Sequence, residues 1–265
     1  MQNNRPSLEN IGEKTLAQEI DGVIRQPSDA NVAFLLIHGF GAAPDEVASY
    51  AEFLYENNIA SFSVRIAGHD TNPEDLATKT RFDWYNSVTR GLEKVRSWNT
   101  EYVFVGGLSM GGALALHIGE HDHSIDGLVV FAPALRIENP LIRVLPILKR
   151  VKKYRDVDLS DMMELYDIPR RKYEREPLSA IHELVKLTKE VRDNLHQIEI
   201  PVFIIHGTDD KTINPQCGKV AFRSVSSVKK KFVLLEGAQH VITCHPTRKE
   251  IYPVTLDWIH EITAG

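Results

Sequence analysis

The run Gly107, Leu108, Ser109, Met110, Gly111 is where residue types and spacing in this 265-residue chain first specify chemistry. It follows the apolar stretch YVFVG and precedes the helical ALALHIG, so the serine falls on a strand-to-helix turn. In such a turn the serine backbone is strained, and a side chain larger than hydrogen two positions to either side would strike the crossing backbone. The hydroxyl is lifted clear of the sheet, and the next backbone N–H, that of Met110, lies at a helix start where it favours an anion. The competing reading, a glycine-rich turn whose serine only caps the helix, is weakened by having the strand before and the helix after.

A serine hydroxyl attacks a carbonyl only if a base takes its proton, and in this setting a carboxylate and then a histidine should follow in chain order. The run PVFII leads into His206, Gly207, Thr208, Asp209 and Asp210, placing a carboxylate just past a strand end. Asp210, three residues after the turn glycine, is the expected acid, with Asp209 as its alternative. The run KFVLLE leads into Gly237, Ala238, Gln239 and His240, and His240 is the expected base. His245 competes, but its place before Pro246 suggests a turn or helix start. His38, His69, His117 and His206 are read as structural. After VAFLLI comes the turn His38, Gly39, Phe40, Gly41, whose Phe40 N–H should join Met110 N–H as an oxyanion donor.

These residues need a frame. Six apolar runs, Val32 to Ile37, Ser61 to Arg65, Tyr102 to Gly106, Gly127 to Phe131, Pro201 to Ile205 and Lys231 to Glu236, read as strands buried on both faces. Between them Pro44 to Asn57, Phe82 to Trp98, Ser109 to Gly119 and Pro215 to Val225 read as amphipathic helices. The pattern is α/β, a mostly parallel sheet flanked by helices, and Thr15 to Gln26 could add an antiparallel strand. No strand-like run separates Phe131 from Pro201. Residues 136–196 are therefore expected to form a helical cap over the strand ends, with 1–135 and 197–265 as the core. Within the cap, Leu141, Val144, Leu148 and Val151 share helical spacing beside the basic cluster Lys149, Arg150, Lys152, Lys153 and Arg155. An amphipathic cap helix with its charges toward water accounts for this, and transient contact with a lipid surface is the sharper alternative.

The formal net charge of −5 disfavours a nucleic-acid partner. No apolar run is long enough for stable membrane insertion, so a soluble, cytoplasmic protein is expected, with Cys217 and Cys244 as free thiols. Neither the cysteines nor the histidines show the short paired spacing of a zinc site, so no metal and no cofactor are expected.

The segments LLIHGFGAAPDE, AGHDTNPEDL, WYNSV, VGGLSMGGALAL, IIHGTDDKTINP and GAQHVIT resemble the small bacterial carboxylesterase and monoacylglycerol lipase branch of the α/β-hydrolases over most of the chain. The resemblance implies the α/β-hydrolase fold with a helical cap, and a Ser109, Asp210 and His240 triad with Phe40 and Met110 as the oxyanion pair. It implies hydrolysis of small-molecule carboxylic esters, short- to medium-chain acyl esters and monoacylglycerols. The segment from Leu178 to Ile198 looks like the family's return from cap to sheet. Asp70 stands where relatives often carry glycine. Leu141, Ile142 and Leu145 of the cap are expected to bind substrate, with the Phe40 and Met110 side chains near the mouth of the acyl pocket. The same triad could instead serve a thioester, an amide or a carbon–carbon bond, and a non-catalytic ligand-binding protein could share the fold.

Overall fold

The computed structural model describes residues 21–160 and 162–264. The expected antiparallel strand falls partly outside them, since Thr15 to Ile20 are not described, but Gly22–Arg25 forms that strand, β1. The core continues through β2 (Val32–Ile37), α1 (Ala48–Glu56), β3 (Ala60–Val64), α2 (Pro73–Thr78), α3 (Arg81–Arg96), β4 (Tyr102–Leu108), α4 (Met110–His121) and β5 (Gly127–Phe131). An inserted stretch holds α5 (Leu145–Val151), β6 (Tyr154–Asp156), α6 (Met162–Leu165) and β7 (Arg175–Pro177). Then follow α7 (Leu178–Asn194), β8 (Val202–Gly207), α8 (Gln216–Ser224), β9 (Lys230–Leu235) and α9 (Arg248–Thr263).

The main sheet has the order β1-β3-β2-β4-β5-β8-β9, parallel throughout except for β1 against β3. Strand β2 shows why it is sandwiched. Its alternate residues Ala33, Leu35 and Ile37 pack with α3, α4 and α7 on one face, while Val32, Phe34 and Leu36 pack with α1 and α9 on the other. Successive strand side chains point to opposite faces, so burial on both turns alternation into an unbroken apolar run. After β2 the chain adds β3 on one side and then β4 on the other, so the strand order reverses between β2 and β4. In open sheets of this kind the crevice at that reversal, beyond the carboxyl ends of the strands, is where ligands bind. No helix among the described residues is long and apolar enough to cross a membrane.

The insertion differs from the helical cap expected for residues 136–196. It contains an antiparallel pair, β6 with β7, and helices of only seven and four residues. Helix α7 buries Leu178, Ile181, Leu184, Leu187 and Val191 in the same apolar cluster as α4, packing as a layer of the core rather than riding above it. Three-residue strands are too short to carry a periodicity that distinguishes them from charged coil. The expected apolar stripe is also divided. Of the expected stripe, Leu141, Val144 and Val151 are exposed and only Leu148 packs against the core, beside the buried Leu145. Pro140 starts a short 3-10 turn over Pro140–Val144 and Pro146 is the second residue of α5, so the stretch is not one continuous helix and its apparent stripe breaks.

Candidate active site

Ser109 follows β4 with φ 58° and ψ −113°, outside the regions open to an unstrained L residue. The turn closes so tightly that a Cβ on Gly107 would lie 2.2 Å from the Gly111 carbonyl oxygen, and one on Gly111 2.1 Å from that of Ile37. Backbone bonds hold the strained residue on both sides: Ser109 N–H donates to Phe131 O at 3.0 Å, and Ser109 O accepts from Ala134 N–H at 3.0 Å.

The loops after β8 and β9 complete a chain of contacts to this serine. His240, after β9, has Nε2 2.9 Å from Ser109 Oγ and Nδ1 2.7 Å from Asp210 Oδ2. Asp210, after β8, is buried, and its Oδ1 accepts from the Thr212 and Ile213 N–H groups at 2.8 and 2.9 Å. Burial alone would push the Asp210 carboxyl up, but hydrogen bonds from His206 and His240, with the His240 charge, hold it well below the usual carboxylate range. Asp209 is exposed and bonds its neighbour Thr208, and His245 is held by Thr247, so neither joins the set.

His206, expected as a structural residue, reaches the same carboxylate: its Nε2 lies 3.0 Å from Asp210 Oδ2 and 3.1 Å from Ile213 O. Two acceptors on Nε2 require that nitrogen to carry the proton. His206 thus donates to the same Asp210 oxygen that His240 contacts and helps fix the carboxylate's orientation. Its position four residues before Asp210 is the available signal, but a strand-end histidine takes that spacing for many reasons. The substitution His206→Leu keeps the volume and removes the donor, and should lower kcat by about 10- to 100-fold, the worth of a hydrogen bond to a charged group. His206→Gln, whose amide nitrogen reaches nearly as far, should keep most of the activity; steady-state kinetics of the two variants check this.

The loop after β2 is fixed at its carbonyls. Gly39 O is bonded by Ala42 N–H at 3.4 Å and by His38 Nδ1 at 2.9 Å, while His38 Nε2 accepts from Ile66 N–H at 3.2 Å. Because a trans peptide directs its C=O and N–H oppositely, anchoring Gly39 O aims the Phe40 N–H the other way. Gly39, Phe40 and Ser109 line one cleft. Met110 N–H, at the first position of α4, has no intrahelical acceptor. The Met110 side chain is fully buried in the core cluster, so it does not stand at the cleft mouth as expected.

The cleft has a volume of about 500 Å³. Phe40, Leu108 and Ile213 line it from the core, and Ile137, Val157, Leu159 and Leu165 from the insertion. The expected lining residues are displaced: Leu141 is 57% exposed, Ile142 lines a separate groove, and Leu145 is packed into the core. Helical spacing identifies an apolar stripe but not the direction it faces, which the 3-10 turn sets.

The insertion is strapped to the loop after β2. Arg170 pairs with buried Glu46 at 2.7 Å, and Glu46 in turn accepts from Gly39 N–H at 2.7 Å. Lys172 Nζ donates to Phe40 O at 2.9 Å, and Tyr173 N–H to Gly41 O at 2.8 Å. Asp70, the departure from glycine noted above, keeps the left-handed backbone that glycine would favour, at φ 54°, and pairs with Arg171 of the strap.

An open parallel sheet with a strained strand-to-helix serine, a histidine and a carboxylate on successive strand ends defines an α/β-hydrolase. Residues 28–246 match the family described as serine aminopeptidase, S33, and the chain belongs to that family. Among its relatives, a thermostable monoacylglycerol lipase of Bacillus sp. (strain H-257) is 30% identical over 213 residues, 80% of this chain and 84% of that one. A carboxylesterase of Bacillus subtilis (strain 168) is 24% identical over 230 residues, 87% and 93% of the two chains. In fold, a structure from work on the metagenome-derived lipolytic enzymes LipS and LipT superposes with a TM-score of 0.84 at 23% identity, covering 91% of this chain and 98% of that one.

Proposed function

We propose that this chain is a carboxylic ester hydrolase that works through an acyl-enzyme on Ser109, with short- to medium-chain acyl esters and monoacylglycerols as substrates. The observation that carries the reading is the continuous chain from Ser109 Oγ through His240 to Asp210 at a cleft whose lining combines apolar side chains with charged ones such as Arg155, Arg170 and Lys172. His240 takes the Ser109 proton as the oxygen attacks the ester carbonyl, and the Phe40 and Met110 N–H groups hold the resulting oxyanion. His240 then passes that proton to the departing alcohol. Water, deprotonated by the same imidazole, releases the acid and restores the serine. Asp210 orients His240 and stabilises its charged form.

The family description names an aminopeptidase, and the aminoacyl anilides in the test below separate the two activities. A peptidase acting at a free N-terminus needs an anionic partner for the ammonium group. The two buried carboxylates at the cleft are committed, Glu46 to Arg170 and Glu176 to Arg155 and Lys172, whereas Glu138 and Asp158, nearer solvent in its lining, accept among the described residues only from neutral groups, from Asn214 and Ser160. Burial would raise the Glu176 carboxyl, but Lys172 and Arg155 hold it below its usual value, so it stays an ion bound to those cations. Similarity to a named monoacylglycerol lipase and a named carboxylesterase supports the ester reading as well.

The exposed Leu141, Val144, Ile147 and Val151 lie in the same segment as Lys149, Arg150, Lys152 and Lys153, a composition suited to brief contact with a lipid surface that presents such substrates. A cytoplasmic location belongs to this reading, supported by Cys217 and Cys244, both buried and unpaired. The test is a series of aryl esters from acetyl to palmitoyl, with monoacylglycerols and aminoacyl anilides alongside. Hydrolysis should peak at intermediate acyl lengths, with the anilides at least about 100-fold slower, the scale of discrimination a pocket built for one substrate class attains. Inertness toward every ester, or anilide cleavage at comparable rates, overturns the proposal.

A further inference from the structure

The expectation that the histidines show no short paired spacing is corrected on helix α4, far from the nucleophile, where His117 and His121 stand four residues apart. His117, Glu120 and His121, at i, i+3 and i+4, project from one helix face. One ligand-type atom of each lies within 4.8 Å of those of the other two. We propose that these three side chains bind a divalent first-row transition ion, with zinc the best match to their two-nitrogen, one-carboxylate donor set.

The first argument is the set of buried polar atoms left without partners. Glu120 is 3% exposed, and neither carboxylate oxygen has a hydrogen-bond partner. Nδ1 of His117, 3.4 Å from Glu120 Oε2, is also buried and unpartnered. Three orphaned ligand atoms converging at one point are costly, since each buried polar group left unpaired forfeits about 1–3 kcal/mol. A cation between them would satisfy all three together.

The second argument is how the rings are held. Tyr85 of α3 stacks on the His117 ring with centroids 4.0 Å apart and 18° between planes, which limits its rotation. His121 Nδ1 lies 2.9 Å from His117 O, a bond that fixes this nitrogen as the protonated one and leaves Nε2 with its lone pair. Histidine ligands are commonly oriented by such a bond from the other ring nitrogen to a backbone carbonyl. His121 is exposed, so the site has an approach from solvent and room for water to complete a tetrahedral shell. His117 is eight residues along the chain from Ser109, about 12 Å by the helical rise, so the ion would steady the α3–α4 contact and take no part in ester cleavage.

The experiment uses untagged full-length protein stripped with a chelator and titrated with Zn²⁺ by calorimetry, and with Co²⁺ by visible absorption. One equivalent of zinc should bind and raise the melting temperature, and Co²⁺ should show the intense bands of a four-coordinate site. His121→Ala, at an exposed position, should fold normally yet bind zinc at least about tenfold more weakly, the smallest effect seen even when only an outer partner of a ligand is lost. Glu120→Gln, which keeps the volume, should do the same. No stoichiometric binding by the wild type, or unchanged binding in both variants, overturns the site.

Discussion

Ser109→Ala is expected to lower kcat/KM for esters by about 10⁴- to 10⁶-fold, with folding and melting temperature nearly unchanged. What remains after loss of a nucleophile is binding and the oxyanion donors, which give only a small part of the total acceleration. The fold should tolerate the change because the strain at this position lies in the backbone, at φ 58° and ψ −113°, and is set by the bonds to Phe131 O and Ala134 N–H, not by the hydroxyl. The same variant should fail to react with a fluorophosphonate that labels the wild type stoichiometrically. Residual activity above about one per cent, or labelling at another residue, would mean that a different group attacks.

Asp210→Asn is expected to lower kcat by about 10³- to 10⁴-fold through the histidine tautomer. The introduced amide can still accept from the Thr212 and Ile213 N–H groups through its oxygen. That leaves its NH₂ facing His240 Nδ1, where Asp210 Oδ2 accepts at 2.7 Å in the wild type. A donor there favours the imidazole with Nδ1 unprotonated and Nε2–H directed at Ser109, and that form cannot take the serine proton. The substitution also has a signature in acid. Asp210 is ionised in the folded protein well below the usual carboxylate range, so its contribution to stability is present above about pH 4, the unfolded value, and fades as the pH falls below it. The variant has no such carboxylate to protonate, so its melting temperature should fall less steeply than that of the wild type between about pH 5 and pH 2. Equal slopes would show that Asp210 is not a stabilising ion in the folded state.

Much of the site is legible in the sequence because each part sits immediately beyond an apolar run. Ser109, Asp210 and His240 follow β4, β8 and β9, and Phe40 follows β2. Strands β2 and β8, buried on both faces, announce themselves by unbroken apolar runs, the half-buried edge strand β9 by its shorter run Phe232 to Leu235, and the turns that follow by glycine. His206 escapes such a reading because its role depends on which way an imidazole at the end of β8 points, and no residue pattern encodes that direction. The cap departs from expectation for a related reason. Its strands β6 and β7 are three residues each, and the stripe from Leu141 to Val151 is divided between a 3-10 turn and a short helix. Helix α9 and its share of the apolar cluster around Trp258 are also hidden, since Pro253 interrupts the helical pattern.

The sequence by itself determined the strand order of chemistry: a strained serine, a carboxylate after it, a histidine last, and a glycine-flanked loop ahead of all three. Local sterics and burial dictate those features, and both act over a few residues. Only the tertiary structure decided that β2, β4, β8 and β9 bring these loops to one end of one sheet, that a second histidine grips Asp210, and that Arg170, Lys172 and Tyr173 tie the insertion to the loop after β2. It also decided which residues face the substrate, because lining a cleft depends on the angle at which one element meets another. That angle comes from packing between segments more than a hundred residues apart in places, such as Glu46 and Arg170, and no local pattern carries it.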